Sequence, residues 1–256
     1  MNTIDAIQKR WGCRKYSDDP INKEELGTVL DAGRYAPSSG NLQDRSFIII
    51  KDSKLKADIA QAAGNQTWIQ TAPVLIVVVA ENEKVGKFFG PRGDKIYSIQ
   101  DTSFAVQNML LAATELGIGN ALVVGFNEEK LNQILKISPP AQPHAIITLG
   151  KPLEQAKTSS KYPLEKFVYF EKHKNKIADM DVTFGDLKKA KEQININAEK
   201  AKNAGKGLIE KIKSLFKRKK QEPLGEDTFM REKDENPFEM PKPVEKDSIP
   251  RLLPRK

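Results

Sequence analysis

A single cysteine, Cys13, in a chain of 256 residues rules out an intramolecular disulfide and makes a reducing compartment the simplest setting. Long hydrophobic runs are missing too. The longest, "APVLIVVVA" from Ala72 to Ala80, has the length of a strand and cannot span a bilayer. The N-terminus has no apolar core of the signal-peptide kind, so the expectation is a cytoplasmic protein unless its tail attaches it to a surface. No internal repeat is visible, and "GPRGDK" at Gly90 lacks the spacing of a dinucleotide-binding loop.

Charge is unevenly spread. Met1 to His173 carries 21 Lys and Arg against 19 acids, whereas Lys174 to Lys256 carries 21 against 15, so six of the eight excess positive charges lie in the last third. The basic pI of 9.3 is therefore a property of the tail and no sign that the first part seeks nucleic acid. With 39% hydrophobic residues, the chain can bury one sizeable core and a second small unit.

Helix and strand patterns alternate along the first 150 or so residues. "INKEELGTVLDAG" puts Leu26, Val29, Leu30 and Gly33 on one helical face, opened by Asn22 with Glu25 three residues later. "FIIIK" predicts a short strand buried on both faces, Ser53 to Ala63 a helix, and "VLIVVVA" the strongest strand of the chain. In "SIQDTSFAVQNMLLAATELG" apolar residues nearly encircle the helix, which makes it central or shared with a second subunit. "NALVVGF" and "HAIITLG" predict two more strands around a helix starting near Asn127. The interleaving implies an α/β sandwich with helices on both faces of a sheet.

Three clusters carry chemistry. The loop "PSSGNLQ" offers the hydroxyls of Ser38 and Ser39 and the amides of Asn41 and Gln43 between a helix and a strand, a set able to read the polar edge of a flat heterocycle. An ordinary capped loop has the same composition. "AIQKRWGCRKY" places Arg10 and Arg14 at i, i+4 on an expected early helix, where two guanidiniums one turn apart can hold a phosphate, or can form a solvated face. "VVGFNEEKL" ends a strand at Val124 and Gly125, where bare backbone can approach a ligand ring. Cys13 is expected to pack on the early helix and His144 to open a strand, neither with a chemical role.

Together these motifs resemble the FMN-dependent nitroreductases. Arg10, Trp11, Gly12, Cys13, Arg14 and Tyr16 stand on the family's opening signature. Ala36, Pro37, Ser38, Ser39, Asn41 and Gln43 match its Ala-Pro-Ser-Ser-x-Asn-x-Gln signature ahead of a strand. "WIQTAPVLIVVVAE", "LLAATELGIGNALVVGF" and "ITLGKP" follow in family order, so the likeness covers about Met1 to Lys172. It implies a nitroreductase-like three-layer α/β (α+β) sandwich, with a central mixed sheet flanked by helices, in an intertwined homodimer. It also implies FMN in two interface pockets, NADH or NADPH as electron donor, and a nitroaromatic, quinone or flavin as acceptor in a ping-pong cycle. By position, Arg10 and Arg14 hold the FMN phosphate with Lys161. Pro37, Ser38, Ser39 and Asn41 line the isoalloxazine from the partner subunit, Gln66 touches the ring edge, and Val124 and Gly125 place an amide near flavin N5. Trp11 and Gly12 replace a usual second basic residue and a serine, which removes one phosphate ligand and brings an indole near the ribityl chain. No side chain is expected to be catalytic and no metal is expected. Flavin-fragmenting and dehalogenating relatives share this fold. The segment "YPLEKFVYFEK" resembles the arm that wraps the other subunit.

The expected domains are residues 1–172 for the FMN-binding part, 173–220 for a charged helical extension, and 221–256 for a tail of alternating prolines and charges that reads as disordered. Within the extension, Leu208, Ile209, Ile212, Leu215 and Phe216 recur at helical spacing, followed by the cations Lys217 to Lys220. This basic segment could dock on an anionic membrane surface or an acidic partner, or pack on the domain; nucleic acid ranks last, because no aromatic stripe accompanies the lysines. The competing function is a flavin-binding adaptor recruited through that tail.

Overall fold

The computed structural model describes residues 2–156 and 159–185. Two units divide them, one running from Thr3 to Ser159 and a second that begins at Ser160. Of the expected extension, residues 173–185 are described, whereas Leu208, Ile212, Phe216 and Lys217 to Lys220 lie with the whole expected tail outside the described residues.

In the first unit four strands form one sheet: β1 Arg45–Ile50, β2 Val74–Ala80, β3 Gly119–Val123 and β4 Gln142–Gly150, in the order β1-β2-β4-β3. All three strand pairs are antiparallel, with Val77 opposite Ile48 on one side and Ile146 on the other. Where a mixed sheet was expected, parallel pairing among the described residues is confined to a single bridge between Gly12 and Asn120. β2 is buried along its whole length because both faces are covered, and alternation sends its side chains two ways. Leu75, Val77 and Val79 pack with Ile59, Ala60 and Leu131, while Val74, Ile76 and Val78 pack with Leu26, Val29, Met109 and Leu110.

These two cores are built by helices whose sequences specify their ends. On one face lie α1 Thr3–Lys9 and α2 Lys23–Arg34, α2 being opened by the expected reciprocal Asn22 and Glu25 cap. α3 Ser53–Ala62 is capped by Asp52. α4 Asn82–Arg92 is kinked at Gly90 and leads through a π-helical turn, Gly93–Tyr97, into the long α5 Ser98–Glu115. α6 Glu128–Leu135 is capped by Asn127, as the sequence predicts. α2 and α5 approach so closely that a Cβ on Gly33 would sit 2.8 Å from Met109 and 2.9 Å from Phe47. Only glycine allows that contact.

β1 is an edge strand, yet "FIII" is covered on both faces as expected: Phe47 packs with Leu26, Val29 and Met109, and Ile48 and Ile50 pack with Ile59 and Leu75 on the other side, while Ile49 is 44% exposed. In the second unit a 3-10 turn, Leu164–Lys166, precedes the short helix α7 Met180–Phe184. Tyr162 stacks at a tilt on Phe167, and Tyr169 meets His173 edge-on.

Candidate functional site

The early helix stops at Lys9, and the residues that follow are extended. Gly12 bridges Asn120, the Cys13 amide donates to the Asn120 carbonyl at 2.9 Å, and the Ser17 amide donates to the Lys151 carbonyl. This corrects the expectation that Arg10 and Arg14 stand one helical turn apart and that Cys13 packs on a helix. Gly12 is a poor helix residue, and burial of Cys13 and Tyr16 against the sheet favours the extended course. The Tyr16 hydroxyl pairs with Thr148 at 2.6 Å and donates to the Cys13 carbonyl, and burial pushes both the Tyr16 phenol and the Cys13 thiol up from their ordinary pKa values.

An extended course has a consequence for the cations. Residues two apart share a face, so Arg10, Gly12 and Arg14 point to the same side, with about 13 Å between the outer two Cα atoms. That side is the wall of a cleft of about 380 Å³, completed by Gln66, Trp68, Ala121, Leu122, Val123, Val124 and Gly125. The Arg14 guanidinium lies over the Trp68 ring, 5.2 Å from its centroid, and its amide donates to Glu154 at 2.8 Å. No carboxylate among the described residues pairs with the Arg10 or Arg14 guanidinium, which leaves both charges turned to the cleft. Gln66 is held by its amide's hydrogen bond to the Ala63 carbonyl at 2.8 Å. A Cβ on Gly12 or Gly125 would meet no atom within 4 Å, so both glycines present bare backbone to open space. Trp11 lines an adjoining cleft with Gly12, Arg14, Lys15, Trp68 and Glu154.

The second signature lies elsewhere. Pro37, Ser38, Ser39 and Asn41 are not among the residues lining either cleft. Their loop turns through Gly40 and Asn41, both at positive φ, and is held from beneath. The Ser39 amide and hydroxyl donate to the buried Asp101 carboxylate at 2.8 and 3.1 Å, and the Gln43 amide donates to the Ser38 hydroxyl. Arg45 donates to the carbonyls of Arg34, Ala36, Pro37 and Asp101. Lys161 is exposed in the second unit.

Thus the chain gathers Arg10, Gly12, Arg14, Gln66, Val124 and Gly125 in a cleft, sets Trp11 beside it, and carries the serine loop apart. Sequence reasoning missed Trp68 in the cleft wall, although an aromatic next to Gln66 in a short turn was a signal. It also missed Asp44, Arg45 and Asp101 beneath the loop; the adjacent charges before an apolar strand were the hint. His144 lies within β4 rather than at its start, with its Nδ1 2.9 Å from the Thr102 hydroxyl, and burial lowers its pKa. No group of acidic, His and Cys residues that could hold a metal ion occurs among the described residues.

Similar proteins place this arrangement. A Thermus thermophilus protein described as NADH dehydrogenase is 26% identical over 64% of this chain and 93% of its own. The Bacillus subtilis FMN reductase [NAD(P)H] is 25% identical over 67% of this chain and 74% of its own. The solved structure of an FMN-dependent nitroreductase from Clostridium difficile superposes with a TM-score of 0.58 at 27% identity, covering 66% of this chain and 99% of that one. The nitroreductase family model matches residues 7–151, from α1 through the last residues of the sheet and so across the arginines, the serine loop and the glycine strand end alike: the chain belongs to the nitroreductase family.

Proposed function

We propose that this chain is an FMN-dependent NAD(P)H oxidoreductase of the nitroreductase type, acting as a homodimer. The observation that carries the reading is the cleft that joins two cations without carboxylate partners, Arg10 and Arg14, to the bare strand end at Val124 and Gly125. Relatives described as an FMN reductase [NAD(P)H] and an FMN-dependent nitroreductase support it.

The residues suit such a ligand. Open space over Gly12 and Gly125 admits a flat ring against backbone, and a volume of about 380 Å³ falls in the range of small-ligand sites. Arg10 and Arg14 hold the phosphate; Trp11 and Gly12 flank the ribityl chain; Gln66 meets the ring edge; and the amides of Val124 and Gly125 serve as donors toward N5. FMN bound there supplies a hydride acceptor that takes electrons from NADH or NADPH and passes them to a nitroaromatic, quinone or flavin. The chain's own part is to bind, orient and charge the site. No residue lining the cleft is a carboxylate, imidazole or thiol, so protons reach the acceptor from solvent. Donor and acceptor occupy the same open face in turn, which makes the kinetics ping-pong.

A second copy of the chain completes the wall. Pro37, Ser38, Ser39 and Asn41 cannot serve a cleft they do not line, so the partner's loop supplies them. Apolar exposure fits a buried interface: Ile99 is 50%, Phe104 46%, Leu122 44% and Val124 67% exposed in the single chain.

The test is an absorbance spectrum of purified protein reconstituted with FMN, before and after NADH or NADPH without oxygen. Flavin bands that bleach support the reading and name the donor. Protein that stays colourless after incubation with FMN overturns it.

A further inference from the structure

Asp44 is fully buried, and among the described residues neither of its carboxylate oxygens has a hydrogen-bond partner. A buried carboxylate without a partner is costly unless it carries a proton. Close by is Asp101 of α5, 1% exposed: its carbonyl accepts from Arg45, the residue after Asp44, its carboxyl is within hydrogen-bonding reach of the Asp44 carboxyl, and its two carboxylate oxygens already accept the amide and the hydroxyl of Ser39. Two carboxylates cannot hydrogen-bond to each other, because each only accepts; one proton between them turns repulsion into a bond.

The surroundings offer no other relief. Arg45, next in the chain, spends its guanidinium on the backbone carbonyls of Arg34, Ala36, Pro37 and Asp101. Glu81, at the end of β2, gives its amide to the Asp44 carbonyl and accepts from the Ser46 hydroxyl. His144 of β4 is engaged with Thr102. Burial first, and Asp101 second, raise the Asp44 carboxyl to about 6, with Arg45 acting weakly the other way.

We propose that Asp44 is a positioning residue for the flavin-edge loop: its protonated carboxyl donates to Asp101, and Asp101 in turn fixes Ser39 where the flavin of the partner copy meets it. This rests on the reading that the Pro37 to Asn41 loop lines a flavin. Loss of the proton sets two buried negative charges against each other beneath the loop. The loop then holds Ser39 less firmly, and flavin binding weakens as pH rises.

The experiment is titration of the flavin-free full chain with FMN between pH 5 and 8, read by flavin fluorescence, for the wild type and Asp44→Asn. An amide donates to Asp101 without a proton to lose, so Asp44→Asn keeps the bond at every pH. FMN's own phosphate titrates in the same range and affects both proteins alike, so the ratio of their affinities isolates Asp44. The expected result is a ratio that moves against the wild type by roughly threefold or more as pH rises through about 6, the effect of a half-unit pKa change on binding. A ratio constant with pH overturns the proposal while leaving the flavin reading intact; no FMN binding by the wild type at any pH overturns that reading instead. Should Asp44→Asn fail to fold, aspartate carboxyl NMR of the wild type decides: a carboxyl titrating near 6 must move to higher pH when FMN binds, and a midpoint that stays put overturns the proposal.

Discussion

The Cys13 amide donates to the Asn120 carbonyl over 2.9 Å, which lays the segment bearing Arg10 and Arg14 beside β3, the strand that Val124 and Gly125 follow. Two cations and the bare backbone of Val124 and Gly125 therefore share a frame. A helical Arg10 to Arg14 segment would have turned one of these cations away.

Gly12 faces open space in the cleft, so a larger side chain there costs the fold little and costs the ligand its room. Gly12→Leu is expected to leave the melting temperature of flavin-free protein within a few degrees of wild type, corresponding to about 1 kcal/mol or less, while weakening FMN by at least about tenfold. Calorimetry and fluorescence titration check the two halves; a large loss of stability would mean that Gly12 serves the fold.

Arg10 is assigned to the phosphate, and riboflavin has none. Arg10→Gln should weaken FMN by roughly 10- to 100-fold, the worth of one charge-assisted hydrogen bond, and leave riboflavin affinity nearly unchanged. Equal losses for both ligands would move Arg10 off the phosphate.

Stability should depend on pH through Asp44. Its carboxyl titrates near 6 in the fold and near the usual ~3.9 when unfolded, so the folded chain binds the proton more tightly. The relative stabilisation is complete below the unfolded value and is lost as pH climbs to about 6, by as much as ~3 kcal/mol for a shift of about two units. His144 acts with the opposite sign: burial depresses its pKa, so its contribution is present above the ordinary histidine value and fades as pH falls. Denaturant unfolding of wild type and Asp44→Asn separates them, since only the Asp44 component disappears in the variant.

Tyr16 joins the N-terminal segment to β4 through Thr148 and to its own chain through Cys13. Tyr16→Phe keeps the ring and removes the hydroxyl, leaving the Cys13 carbonyl without that donor, and should cost about 1–3 kcal/mol in urea unfolding. A neutral substitution would show that the ring alone carries the contact.

Local signals were legible in the sequence. The Asn22 and Glu25 cap, the Asn127 cap, the all-apolar β2 and the long α5 are each determined by neighbours a few residues away, and each was read correctly. What escaped depends on partners far along the chain. Residues Arg10 to Tyr16 carry a helix-compatible spacing, and only pairing with Asn120 and Lys151 makes them extended. The edge position of β1 was hidden too, because composition cannot reveal that a strand covered on both faces has one neighbour. Of the residues expected to bind, the cleft gathers those on the first signature and just past β3, and the serine loop stands apart from it in the single chain. The proton between Asp44 and Asp101 was invisible for the same reason, since α5 brings the two acids together only in the fold.

The single bridge at Gly12 also bears on self-association. β3 closes one side of the sheet, and an exposed side of that kind is a template on which foreign strands add. The extended N-terminal residues spend part of that hydrogen-bonding capacity inside the molecule, at Asn120. One stretch of chain thus shapes the ligand cleft and blunts the sheet against fibril-like growth.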